Sequence, residues 1–161
     1  MQWKNVIDSQ YYEVSDTGLV RNKRTLRILV PSENGHGLPK VILSEDGDKT
    51  YKTVARIVAD AFLDPPQEGD VIFYMDDDKA NTAAINLRWR PRWYAQEWAH
   101  QQKRTVPMRN WRIERFSPLG SEVFENSLEC ANLTYGIERY IVLACGRGSI
   151  YNHATYEWIK E

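Results

Sequence analysis

The sequence predicts an α+β protein in two modules: a strand-rich amino-terminal part and a small helix-turn-helix-like tail. Three observations predict it. Short apolar runs separated by turn residues dominate the first fifty positions. One amphipathic helix pattern, Thr53 to Phe62, then interrupts them. Near the carboxyl end, two short helical runs flank a glycine-containing turn at Tyr135-Gly136. The expected division is 1–104 for the first module, 105–110 for a linker at Thr105-Val106-Pro107, and 111–161 for the second module.

The elements follow in order. Trp3, Ile7, Tyr12 and Val14 have strand spacing, Ser15-Asp16-Thr17-Gly18 is a turn cluster, and Leu19-Val20 resumes a strand. Leu26 to Val30 is apolar enough for another. Ser32 to Gly37 is a loop, Val41-Ile42-Leu43 is an apolar strand, and Asp46-Gly47 is a hairpin turn signal. In the helix Val54, Ile57, Val58 and Ala61 fall at i, i+3, i+4 and i+7, with Thr53 as its cap and Asp64-Pro65-Pro66 as its stop. Val71 to Met75 is strand-like and runs into the acidic turn Asp76-Asp77-Asp78-Lys79. Residues 93–103 read as helix. Trp111 to Phe116 and Glu122 to Phe124 alternate like a hairpin. Ser127 is expected to cap a helix to about Leu133, with Gly136 as its left-handed stop. A second helix runs from Glu138 to Cys145, and Thr155 to Ile159 closes the module as a strand.

A hydrophobic share of 42% and an aromatic share of 12% are enough for a folded core. No apolar run approaches the length of a membrane span, and the start does not resemble a signal peptide, so a cytoplasmic protein with no membrane partner is expected. Cys130 and Cys145 are expected as buried free thiols. Charge is unevenly distributed. Residues 44–87 hold ten acids and four bases; residues 88–115 hold eight bases and two acids, interleaved with Trp89, Trp93, Trp98 and Trp111.

Three phrases, in this order, resemble phage HNH homing endonucleases. Trp3 with Tyr12-Glu13-Val14-Ser15-Asp16-Thr17-Gly18-Leu19-Val20-Arg21 is similar to the motif found at the amino end of such enzymes. Val54-Ala55-Arg56-Ile57-Val58-Ala59-Asp60-Ala61-Phe62, followed by 71–89, resembles the HNH core. Ser127-Leu128-Glu129-Cys130-Ala131, Gly136-Ile137, Ile141, Cys145, Gly148 and Trp158 resemble the modular DNA-binding repeat at their carboxyl end. The resemblance implies a ββα-metal (HNH)-like core, double-stranded DNA as partner, and a bacterial host cell as location. It also marks departures. An alignment anchored on Lys79, Asn81 and Asn86-Leu87-Arg88-Trp89 puts Phe73 and Tyr74 where the family has its metal ligand and general base. Ala95, with Gln96 beside it, falls at the third catalytic position, Ala55 replaces a helix histidine, and Asp77 replaces the turn glycine.

Cleavage of this type needs a divalent cation and a base for the attacking water. Phenylalanine supplies neither, and tyrosine, with an ordinary pKa of about 10, is a poor base at neutral pH. His36, His100 and His153 lie at no matching position. Asp76, Asp77 and Asp78 are oxygen donors of the kind that hold magnesium; a solvated acidic turn is the plainer reading of the same residues. The expected function is therefore DNA binding without cleavage, with Arg90, Arg92, Lys103, Arg104, Arg109, Arg139 and Arg147 as phosphate contacts and Trp89 and Trp98 as packing residues. Two alternatives stand beside it. One is a repurposed scaffold that binds a host or phage protein through its acidic face, for example as a counter-defence inhibitor. The other is a residual metal-dependent endonuclease using Mg2+ at an unrecognised site.

Overall fold

A computed structural model describes residues 1–33 and 35–159; Asn34, in the loop expected at 32–37, lies outside the described residues. The chain divides into two compact units, Met1–Arg92 and Trp93–Glu161. The sequence-based boundary at 104/105 thus falls inside the second unit. No helix among the described residues is long and apolar enough to cross a membrane.

The first unit packs one helix on small antiparallel sheets. Strands β1 (Trp3–Asn5), β2 (Tyr12–Ser15) and β3 (Val20–Asn22) form one sheet in that order. A second contains β4 (Ser32–Glu33), β5 (Pro39–Glu45) and β6 (Asp48–Thr53). β5 alternates as a half-buried strand must, with Val41 and Leu43 inward and Ile42 outward. Asp46 and Gly47 both take positive φ (49° and 95°) and close the β5–β6 hairpin. Helix α1 (Val54–Phe62) buries Val54, Ile57 and Val58 against Val14, Val20, Val41, Leu43 and Leu87. Thr53 occupies its N-cap position, but its hydroxyl makes no capping bond. Strands β7 (Asp70–Tyr74) and β8 (Leu87–Pro91) pair antiparallel, joined by a loop that ends in a 3-10 turn, Ala84–Asn86. The strand expected at Leu26 to Val30 does not form. Leu26 takes φ 56° in a turn, which breaks extended pairing, and only Ile28 bridges back to Arg21.

The second unit begins with α2 (Arg92–Gln102), which buries Tyr94, Trp98 and Gln101. Strands β9 (Ile113–Ser117), β10 (Gly120–Phe124) and β11 (Thr155–Trp158) form an antiparallel sheet with β9 in the middle. Helices α3 (Ser127–Leu133) and α4 (Glu138–Arg147) close it over Ile113, Phe124, Cys130, Ile141, Ala144 and Tyr156. Two details differ from expectation. Asn126, not Ser127, caps α3: its side-chain oxygen accepts from the amides of Leu128 and Glu129, while Ser127 is fully buried. Tyr135, not Gly136, takes the left-handed conformation between the helices (φ 52°). Gly136 is needed for room, because a Cβ there would lie 2.9 Å from Ile141 Cδ1.

Both cysteines are free, Cys130 buried and Cys145 half-buried. Burial pushes the Cys130 thiol up to about 12 and the Cys145 thiol up to about 11. Only thiolate reacts with a disulfide reagent. At pH 8 the folded protein should therefore label roughly 10²-fold more slowly than a free cysteine of ordinary pKa near 8.5. Reaction with Ellman's reagent in buffer and in urea checks this; equal rates would mean that the thiols are not enclosed.

Candidate functional site

The loop between β7 and β8 is built by two asparagines. Asn86, nearly buried, accepts from the Asp76 amide (3.1 Å) and donates to Asn81 O (2.9 Å). Asn81 donates to Asp76 Oδ2 (2.6 Å). Asp76 Oδ1 accepts from the Asp78 amide and Asp78 Oδ1 from the Ala80 amide, both at 2.9 Å. Asp77 sits between them with φ 60°. Desolvation pulls the Asp76 pKa upward, but hydrogen bonds from Asn81, the Asp78 backbone and Asn86 outweigh it, so its carboxyl lies below its ordinary value. The acidic turn thus uses its carboxylates to tie its own backbone. Among the described residues no group of three or more His, Cys, Asp or Glu side chains converges.

The loop is also seated on the turn before β3. Ala84 N donates to Asp16 O (2.8 Å), and Thr82 lies against Gly18. Arg88 Nη1 closes the other end, donating to the carbonyls of Leu87 (2.7 Å) and Ile85 (3.2 Å).

Of the residues singled out for chemistry, Ala55 is 2% exposed on α1 and Phe73 is 5% exposed on β7. Tyr74 packs half-buried against the first unit's core, and burial raises its pKa above the ordinary value. It stays protonated at neutral pH. Ala95 is half-buried on α2 in the second unit.

The basic residues are placed less uniformly than the charge count implied. In the first unit Arg90 is half-buried and lines an open groove of about 550 Å³ with Asp64, Asp70, Arg88 and Trp89. Trp89 packs against the core, with the Arg56 guanidinium 5.1 Å from its ring centre, while Trp98 is buried in the second unit. Arg92, Lys103, Arg109 and Arg147 are exposed. Arg139 is exposed and pairs with Glu97 at 3.1 Å. Its pKa is raised first by its hydrogen bond to Tyr140 and then by Glu97. Arg104 turns inward and donates to Glu138 at 2.6 Å, so it serves the fold before any partner.

Sequence reasoning passed over two features. The run Arg21-Asn22-Lys23-Arg24-Thr25-Leu26-Arg27 forms a turn that Asn22 ties through the Arg24 and Thr25 amides, and it presents Arg24 and Arg27 to solvent. Its base-rich run was visible in the sequence. The buried Glu138 had no such signal, because an acid at a helix start reads equally well as a solvated cap.

No family model matches the chain. It is 32% identical over 88 residues to an uncharacterised HNH endonuclease, L245, of Acanthamoeba polyphaga mimivirus, covering 55% of this chain and 26% of that protein. It is 32% identical over 93 residues to the DNA endonuclease I-HmuI of Bacillus phage SP01, covering 55% and 52%. The matched regions thus span about a quarter and about half of those relatives. The solved structure reported as DNA binding and cleavage by the HNH homing endonuclease I-HmuI aligns with a TM-score of 0.59 at 20% identity, over 100% of this chain and 99% of that one. In sequence over 55% of its length, and in fold along all of it, the chain is a distant relative of HNH homing endonucleases of the I-HmuI type.

Proposed function

We propose that the chain is a non-cleaving DNA-binding protein, phage-encoded, that keeps the scaffold of an HNH homing endonuclease without its catalytic groups. The observation that carries this reading is the packing of Ala55 and Phe73. At positions where the resemblance calls for imidazole or carboxylate, both are apolar and nearly inaccessible. Tyr74, beside them in sequence, is held protonated. Neither metal binding nor proton abstraction is available from these three side chains, and the acidic turn supports neither.

Binding needs only cations in reach of phosphates. Arg92, Lys103, Arg109, Arg139 and Arg147, with Arg90 in its groove, supply them. Each phosphate neutralised releases counterions and adds about 0.9 to the salt slope. A gel shift on duplex DNA should therefore show log K falling against log salt with a slope of about −3 to −5, a loss of about 10²–10³-fold from 50 to 200 mM. Nicking of the same DNA with magnesium or manganese should be absent.

A second reading, a scaffold for a basic protein partner, is favoured by the sheet of the second unit. Glu157 stands directly opposite Glu114, with the exposed Phe116 and Val123 on the same face. Like charges so placed repel unless a cation bridges them. Absence of DNA affinity at low salt would transfer the assignment to this reading and make a pull-down of a basic partner the deciding experiment.

A further inference from the structure

Glu138 is the only charged residue buried among the described residues, at 1% exposure. It opens α4. Its Oε1 accepts from Ser127 Oγ and from the Met108 amide, each at 2.5 Å, and its Oε2 accepts from Arg104 Nη1 at 2.6 Å. Its backbone amide donates to Gln101 Oε1 (2.7 Å). Gln101 Nε2 in turn donates to Asn132 Oδ1 (2.9 Å) and Gly136 O (3.1 Å). Ser127 carries the network onward: its Oγ accepts from the Arg109 amide (2.9 Å), and its own amide donates to Arg109 O (3.1 Å). The carboxylate therefore ties the segment 104–109 and the start of α3 to the start of α4, and the Glu138 amide adds the end of α2.

A buried ion pair is a poor device for stability alone, because apolar residues of the same volume usually serve as well or better. What it does well is fix a geometry. Segment 104–109, which overlaps the linker expected at 105–110, is a strap held at Arg104, Met108 and Arg109. Lys103 precedes the strap and Arg109 ends it. Arg139, the residue after Glu138, lines the same shallow pocket as Arg104 and Met108.

We propose that Glu138 is a positioning residue for nucleic-acid binding: it clamps the strap to the start of α4 and so sets Lys103, Arg109 and Arg139 as one phosphate-binding array. The inference rests on the DNA-binding reading above. It gives the carboxylate a role opposite to its charge, since a negative group raises affinity for a polyanion by holding cations in register. Arg104 neutralises it and is not itself part of the array.

The test is a salt titration of duplex binding by the full chain and by Glu138→Gln, with amide exchange at Met108 and Arg109 as a readout independent of DNA. The expected result is faster exchange at both amides, about tenfold weaker binding near 0.1 M salt, and a salt slope shallower by about one to two, the loss of one or two phosphate contacts. A merely structural role would leave the slope of the folded fraction unchanged. An unchanged slope overturns the proposal, and so does a steeper one, which would mean that Glu138 had been withholding Arg104 from phosphate. If Glu138→Gln is too unstable to titrate, Ser127→Ala keeps the ion pair and removes one donor to Oε1 together with the acceptor of the Arg109 amide, leaving the backbone bond from Ser127 N to Arg109 O in place. It should show the same changes, smaller, and no change there also refutes the clamp. If the unaltered chain fails to bind DNA, the functional reading itself falls and the inference with it. If it binds and only the variants fail to differ, the inference falls alone.

Discussion

Gly18→Ala should destabilise the amino-terminal unit by about 2–6 kcal/mol, from two costs of about 1–3 kcal/mol each. The first is backbone strain. Gly18 has φ 92°, a region that L-residues rarely occupy, and the turn is fixed there by the bond from Gly18 N to Ser15 O and by the Leu19 amide to Ser15 Oγ. The second is collision. A Cβ on Gly18 would stand 2.2 Å from Thr82 Oγ1 and 3.3 Å from Thr82 Cβ. Thr82 is nearly buried, and its loop is pinned by the bond from Ala84 N to Asp16 O, so it has little room to retreat. For a domain of this size such a loss lowers the melting temperature by about 4–8 °C per kcal/mol. The two costs separate. Gly18→Ala with Thr82→Ala should recover the steric share and leave the backbone share. Calorimetry of the three variants measures this, and a melting temperature unmoved by Gly18→Ala would show that turn and loop do not meet.

That contact also shows how far the sequence could be read. The Ser15–Gly18 turn, the Asp46-Gly47 hairpin, the α1 period and the β7 strand were all legible, because each depends on local backbone chemistry or on a short apolar repeat. Leu26 to Val30 misled because apolar composition does not reveal that Asn22 ties the preceding turn and forces Leu26 to φ 56°. Asn126 and Ser127 are both good caps, and which of them is buried depends on Glu138, eleven residues on. The candidate site divides along the same line. The cation content of 88–115 was readable in the sequence. Which cations remain available was not. Arg104 and Arg109 look alike in sequence, yet one answers a buried carboxylate while the other is exposed, because long-range pairing spends charge that composition can only count.

The acidic turn follows the same logic in the opposite direction. Asp76 and Asp78 are oxygen donors, but each carboxylate already accepts the backbone amide two residues ahead. Opening those bonds to admit an ion would leave the amides of Asp78 and Ala80 to find new partners. The low pKa of Asp76 reflects the same bonds, chiefly the Asn81 amide working against desolvation.

Restoring the family's catalytic pair, Phe73→Asn with Tyr74→His, should cost about 4–8 kcal/mol and return no cleavage. Phe73 is 5% exposed, and removing a buried phenylalanine costs about 3–5 kcal/mol through lost transfer and the cavity left behind. An asparagine amide left short of partners there adds about 1–3 kcal/mol more. At position 74 the side chain packs against the core of the first unit, in the environment that raises the tyrosine pKa. The same burial disfavours a charged imidazole and keeps the histidine neutral. A neutral imidazole is the right form for a base, so protonation state would not be what prevents turnover. The obstacle is the rest of the constellation. Ala55 carries no ligand or hydrogen-bonding group, and the carboxylates of Asp76 and Asp78 remain engaged in their turn. A urea titration of the double variant, with a plasmid-nicking assay in magnesium and manganese, measures both halves. A stable variant would mean that Phe73 is not a packing residue. Metal-dependent nicking would mean that the scaffold still assembles a working site around two restored side chains, and that the unaltered protein lies two substitutions from a nuclease.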